Sequence, residues 1–212
     1  MGQVVELPRR RRRTPIAEKG KVTPPRRRPN RELRSREYLT PSETERLIAA
    51  AATSGRHGRR DQTLLLLMYR HGLRVSEAVS LRWDQVDLKA GLLHVNRLKN
   101  GVPSTHPLRG PELRALRQTR RDWPDSPYLF VTERGGPMTA SNVRKLVARA
   151  SKAAELSFAA HPHMLRHACG FKLANDGHDT RALQHYLGHK NIAHTVRYTE
   201  MASDRFKSFW KD

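Results

Sequence analysis

The chain of 212 residues contains a single cysteine, Cys169. One thiol cannot close an intramolecular disulfide, and a zinc site built on several thiolates is excluded with it. A lone cysteine also fits a reducing, intracellular setting. Long apolar runs are missing: no stretch approaches the ~18 residues that a membrane-spanning helix needs. The N-terminus is rich in arginine with no apolar stretch behind it, so no secretory signal is expected. No internal repeat is evident, and no glycine-rich loop of the phosphate-cradling kind occurs. Acidic residues are scarce beside basic ones. The 20 Asp+Glu face 41 Lys+Arg, for a formal charge of +21. That excess points to a polyanionic partner, nucleic acid before an anionic membrane surface.

Charge is concentrated at the start. Residues 1–37 carry 13 Lys+Arg and 4 Asp+Glu, including the runs Arg9 to Arg13 and Arg26 to Arg28, with Pro24, Pro25 and Pro29 around the second run. Apolar periodicity is absent beyond Val4, Val5 and Leu7. The segment reads as a disordered basic tail, either a solvated extension or an arm that follows DNA phosphates. A folded domain over 38–212 then begins at Thr40-Pro41-Ser42-Glu43, a capping box with proline at the first helical position. Helical patterns follow over about 61–71, ended by Gly72, and over 76–83 as a helix or turn. Residues 91–96 and a strand ending at Pro107 form a hairpin around Lys99-Asn100-Gly101. A helix over 112–121, a short strand Tyr128 to Val131, and helices near 140–154, 163–176, 180–187, 191–197 and 201–210 complete the reading. The fold class expected is mainly α with a small antiparallel β-sheet.

Three clusters carry chemistry: His71 to Glu77, His161 to His167, and Leu187-Gly188-His189 followed nine residues later by Tyr198. Arg74 follows a helix-ending glycine and can project from a loop. Arg166 lies three residues after His163, on one helix face. Two guanidiniums can bracket a phosphodiester, since each offers planar paired donors. His163 beside them can move protons near neutral pH. A tyrosine can attack phosphorus, but an ordinary phenol with a pKa near ~10 is about one part in a thousand ionised at pH 7. It therefore needs a base or a strong positive potential. His161, His163 and His167 could be read as metal ligands, but no nearby carboxylate completes such a site, and none is expected to bind one.

Together, Gly72 to Glu77 with Arg74, His163-Met164-Leu165-Arg166-His167, Leu187-Gly188-His189 and Tyr198 resemble the signature of the tyrosine recombinase, or phage integrase, family. The resemblance covers about residues 38–210. Within that family Arg97 to Gly101, Thr105 to Leu108, His161 to Gly170, Leu173-Ala174-Asn175 and the stretches His189 to Ile192 and His194 to Val196 are similar to the short fimbrial phase-variation invertases. The resemblance implies the DNA breaking–rejoining catalytic fold and a site-specific recombinase acting through a 3′-phosphotyrosyl intermediate. Tyr198 would be the nucleophile, Arg74 and Arg166 would stabilise the pentacoordinate phosphate, and Lys99 on the hairpin would protonate the leaving oxygen. His163 would be the general acid/base and His189 a hydrogen-bond donor to the phosphate, with Glu77 and His167 in support. No metal or nucleotide cofactor is implied, because the covalent link conserves the bond energy. The implied partners are double-stranded DNA and further copies of the chain, a tetramer on synapsed sites in the bacterial cytoplasm, at the nucleoid.

The sequence departs from most of the family in one respect. About 37 residues precede the domain, too few for the helical core-binding module that completes the DNA clamp in larger members. The basic tail is a substitute for it if it enters a groove. Met201, Phe206, Phe209 and Trp210 have two readings, packing on their own domain or docking on a neighbouring subunit. Two other functions compete: a non-catalytic DNA-binding regulator on the same fold, and a helix-turn-helix repressor, which needs no ordered Arg/His/Tyr set. Inversion, integration and excision are not separable from sequence.

Overall fold

The computed structural model describes residues 36–98 and 101–200, and everything structural below concerns those residues. The expected basic tail up to Ser35, Lys99 and Asn100 at the hairpin turn, and the 201–210 helix lie outside them.

Helix α1, Pro41–Thr53, begins as its sequence signals. The Thr40 hydroxyl accepts from the Glu43 amide at 3.3 Å, and the Glu43 carboxylate accepts from the Thr40 amide at 2.8 Å. Such a box satisfies two otherwise orphaned donors, and its cap is worth about 1 kcal/mol. Arg36, next to the tail, ion-pairs with Glu43 at 2.5 Å. Helix α2, Gly58–Arg70, starts three residues before the expected Asp61, where Gly58 packs so tightly on the Ala52 carbonyl that no Cβ fits. The expected third helix is a single turn, α3, Val75–Val79, with a 3₁₀ turn at Trp83–Gln85.

The sheet is three-stranded and antiparallel in the order β1-β2-β3: Val86–Asp87, Leu92–Val95 and Ser104–Pro107. Leu93 pairs with His106 and Val95 with Ser104, so Leu93, Val95 and His106 turn inward together. The strand expected at Tyr128 to Val131 does not form. The run makes isolated bridges, Arg82 to Tyr128 and Val131 to Pro137, around a tight turn in which Gly135 has φ +78°. Its apolar side chains Leu129, Phe130 and Val131 are buried in the core instead of lining a ladder.

The remaining helices are α4, Gly110–Asp122, α5, Ala140–Ala153, α6, Pro162–Asn175, α7, Thr180–Leu187, and α8, Ala193–Glu200. Helix α8 starts two residues later than expected and extends through Tyr198 to Glu200. The main core joins Leu47 and Ala51 of α1, Leu64, Leu65 and Met68 of α2, Val143 and Val147 of α5, and Met164, Leu165 and Ala168 of α6. A second apolar cluster, Cys169, Ala174, Leu183, Leu187 and Tyr198, locks α7 and α8 against α6. Helix α6 thus belongs to both clusters, and it carries the histidine–arginine box between them. No helix among the described residues is long and apolar enough to cross a membrane.

Candidate active site

Pro162 opens α6 and sets His163 and Arg166 one turn apart. Their environments differ sharply. His163 stays accessible to solvent, while Arg166 is 1% exposed. The Arg166 guanidinium spans two backbone segments: it donates to the Gly72 carbonyl on one side and to the Leu187 carbonyl, at 2.6 Å, on the other. Burial, with the charges of Arg74 and Arg97, lowers its pKa to about 10, which still leaves it a cation at neutral pH.

Arg74 is the N-cap of α3 in extended conformation, directly after the α2 terminus at which Gly72 takes φ +56°. Glu77 holds it twice. One carboxylate oxygen accepts from the Arg74 guanidinium at 2.7 Å and the other from the Arg74 amide at 2.9 Å. Burial disfavours the Glu77 carboxylate, but the Arg74 amide and the charges of Arg97 and Arg74 outweigh it and place its pKa below the ordinary carboxylate value. About a quarter of the Arg74 side chain remains exposed. It is the outward-facing member of the two family-box arginines.

His189 follows Gly188, the left-handed residue that caps α7 (φ 64°, ψ 40°). Its Nδ1 lies 2.8 Å from the Thr195 hydroxyl on α8, and its ring stacks at 6.3 Å on that of Tyr198. Tyr198 is 1% exposed. Its hydroxyl lies 2.8 Å from Nδ1 of His167, which in turn meets the His163 ring edge-on at 4.5 Å. Gly170 on α6 makes room for the tyrosine: a Cβ there would come within 2.7–2.8 Å of three ring carbons.

These residues share one field. Crowding by protein and then the charges of Arg166, His161, Arg74 and Arg197 lower His163 to about 4. Burial, followed by His163, Arg197 and Arg166, takes His167 to about 3, and burial with Arg166 and Arg74 takes His189 to about 3. All three are therefore neutral at pH 7. Tyr198 is raised by burial, a shift that Arg166, Arg197 and Arg74 offset only in part. The phenol is held neutral against a neutral imidazole nitrogen, and the fixed positive charge around it is placed to meet negative charge developing on the phenol oxygen and at a phosphate.

Of the six residues expected at the site, Arg74, His163, Arg166, His189 and Tyr198 lie in this one cluster. The sixth, Lys99, lies outside the described residues, although the neighbouring Gly101 packs against the Gly188 carbonyl. Sequence reasoning missed three contacts: His167 as the direct partner of Tyr198, Gly170 as its seat, and Arg97, buried behind Arg74. A glycine inside a helical pattern was a readable signal for the second. Arg97 heads a stretch similar to the fimbrial invertases, but in so basic a chain nothing marked its contacts.

The phage integrase family model matches residues 37–205. Type 1 fimbriae regulatory protein FimB of Escherichia coli (strain K12) is 43% identical over 182 residues, covering 84% of this chain and 90% of FimB. Tyrosine recombinase XerC of Bacillus subtilis (strain 168) is 33% identical over 188 residues, covering 85% of this chain and 62% of XerC. Among solved structures, XerA recombinase superposes with a TM-score of 0.71 at 26% identity, covering 81% of this chain and 63% of that one. The chain thus spans less than two thirds of XerC and of XerA. It belongs to the phage integrase family, whose catalytic domains share its arrangement of helices around a small antiparallel sheet.

Proposed function

We propose that the chain is a site-specific DNA recombinase that cleaves and rejoins double-stranded DNA through a phosphotyrosine at Tyr198. The observation that carries this reading is the convergence of His163 and Arg166 from α6, His189 from the loop after α7 and Tyr198 from α8, with Arg74 close enough to lower the pKa of His163, Arg166 and His189 and to act on Tyr198 as well. Arg74 and Arg166 stabilise the pentacoordinate phosphate. His163, neutral and accessible, exchanges protons at the reacting oxygens, and His189 donates to a non-bridging oxygen. The phenol oxygen gives up its proton to His163 and bonds to phosphorus, the bond from phosphorus to the DNA 5′-oxygen breaks, and that oxygen takes a proton from Lys99. That role for Lys99 is supported by its place on the hairpin whose flank, Gly101, packs beside Gly188. Religation is the same step in reverse, so no external energy source is consumed.

Exchange between two duplexes breaks four strands, and each break occupies one tyrosine. The working assembly is accordingly a tetramer on paired sites. The basic tail adds phosphate contacts that strengthen binding without reading sequence. In the test, a duplex selected by the protein from a randomised pool is nicked near the cleavage point, so that the released fragment diffuses away and the covalent adduct accumulates. Wild-type protein gives an adduct resistant to denaturant and Tyr198→Phe gives none. An adduct-free wild type, or an adduct with Tyr198→Phe, overturns the reading.

A further inference from the structure

Behind Arg74 lies a second arginine that no substrate can reach. The Arg97 side chain is 0% exposed, on the β2–β3 connection. Its guanidinium donates to Glu77 at 3.0 Å, to the His71 carbonyl at 3.2 Å and to the Tyr186 carbonyl, with a longer approach to the Gly72 carbonyl at 3.5 Å. Its stem runs between two glycines. A Cβ on Gly101 would lie 2.6 Å from Arg97 Cβ, and one on Gly188 would lie 2.6 Å from Arg97 Cγ.

Two features separate Arg97 from an ordinary structural ion pair. Its Nε–H is buried with no acceptor among the described residues. A buried pair with an unmet donor contributes little net stability, since desolvation offsets the attraction. Its partners, moreover, are the supports of the active site. Glu77 shares its two oxygens between Arg97 and Arg74. Arg97 and Arg166 cross-brace the same two segments, one through His71 and Tyr186, the other through Gly72 and Leu187.

We infer that Arg97 is a positioning residue: through Glu77 it sets the aim of Arg74 at the scissile phosphate, and through the carbonyls of His71 and Tyr186 it fixes the spacing of the two segments that Arg166 bridges. This inference rests on the recombinase reading above. Glu77 alone has one guanidinium to balance it if Arg97 is removed, and it can then draw Arg74 inward, away from substrate. A small misplacement of a catalytic group costs on the order of 100-fold in rate.

The experiment compares wild type with Arg97→Met, Arg97→Lys, Glu77→Gln and Arg74→Ala on two nicked substrates. One carries the natural scissile phosphate and the other a methylphosphonate, whose missing charge makes guanidinium aim matter less. Rates are expressed per active site, by titration of adduct at completion. The expected result is a roughly 100-fold loss for Arg97→Met on phosphate and a much smaller loss on methylphosphonate, so that its phosphate-to-methylphosphonate ratio moves toward that of Arg74→Ala. Glu77→Gln shifts the ratio the same way, Arg97→Lys falls between Arg97→Met and wild type, and adding Arg97→Met to Arg74→Ala costs little more. If Arg97→Met or Arg97→Lys lowers both substrates by one factor and leaves the ratio at the wild-type value, Arg97 is merely structural and the inference is overturned. Should Arg97→Met fold poorly, the Arg97→Lys and Glu77→Gln ratios decide alone. A wild type without adduct would instead sink the recombinase reading itself.

Discussion

The Tyr198 hydroxyl lies 2.8 Å from Nδ1 of His167, in a setting that leaves 1% of the tyrosine exposed. Because His167 is lowered to about 3, its ring is neutral, and Nδ1 accepts from the phenol if the ring proton sits on Nε2. The hydroxyl is thus part of the fold as well as of the proposed chemistry. Tyr198→Phe removes the proposed nucleophile and leaves a buried imidazole nitrogen without its partner. Expected are complete loss of the covalent adduct and a stability loss of about 1 kcal/mol. For a domain of this size that is a drop in Tm of roughly 2–4 °C. Calorimetry of the two proteins checks it, and a variant as stable as wild type would show that the hydrogen bond contributes nothing.

Gly170 predicts the opposite kind of change. An alanine there collides with three carbons of the Tyr198 ring, and the rest of the ring's surroundings, Phe171, His167 and His189, is already occupied. The tyrosine must move, at a cost of about 1–3 kcal/mol. Gly170→Ala should therefore lower Tm and expose the phenol. Nitration of Tyr198 by tetranitromethane, followed by mass spectrometry, should be slow in wild type and clearly faster in the variant. Equal rates would mean that Gly170 does not seat the ring.

Arg166 shows why a basic residue can be irreplaceable by another. Its forked guanidinium reaches the Gly72 and Leu187 carbonyls at once. A lysine ammonium is a point donor on a flexible stem and cannot hold both. Arg166→Lys should lose about 1–3 kcal/mol for a carbonyl left unmet and at least ~100-fold in adduct formation. The same nicked-substrate assay and a melting curve measure both. Cleavage within a few-fold of wild type would remove Arg166 from the site.

The boxes around Arg74, His163 to His167 and His189 to Tyr198 were legible because their joint order resembles the family signature, although each signal alone is weak. The capping box at Thr40 and the α6 and α7 boundaries were legible from local signals at helix ends. What escaped depends on partners distant in the chain. Val86–Asp87 is too short to show alternation and becomes a strand only through pairing with Leu92 and Leu93. Tyr128 to Val131 has strand-like composition, but its side chains answer to the core and its backbone finds single bridges. The meeting of His167 with Tyr198 spans 31 positions, and that of Arg97 with Tyr186 spans 89. Neither is written in periodicity.

The buried histidines make stability depend on pH in a stated direction. His106, His167 and His189 are 0%, 6% and 8% exposed, and each is lowered to about 3 from an ordinary 6.5. The unfolded chain therefore takes up protons as pH falls through ~6.5, while the folded protein refuses them until far lower. The stabilisation is fully present above that value and is lost progressively as pH falls from it toward 3. Each histidine contributes a slope of at most ~1.4 kcal/mol per pH unit in that window. Urea unfolding at pH 7.5, 6.5, 5.5 and 4.5 should show midpoints that begin to fall across the first step and fall more steeply thereafter. His106 offers the control, because its ring lies outside the tyrosine cluster, between His71 Nδ1 at 3.1 Å and Ser104 Oγ at 2.8 Å. His106→Phe should flatten the acid limb by one histidine's share and leave adduct formation at pH 7.5 within a few-fold of wild type. A midpoint that stays level down to pH 4.5 in the wild type would mean that these rings are protonated as readily folded as unfolded.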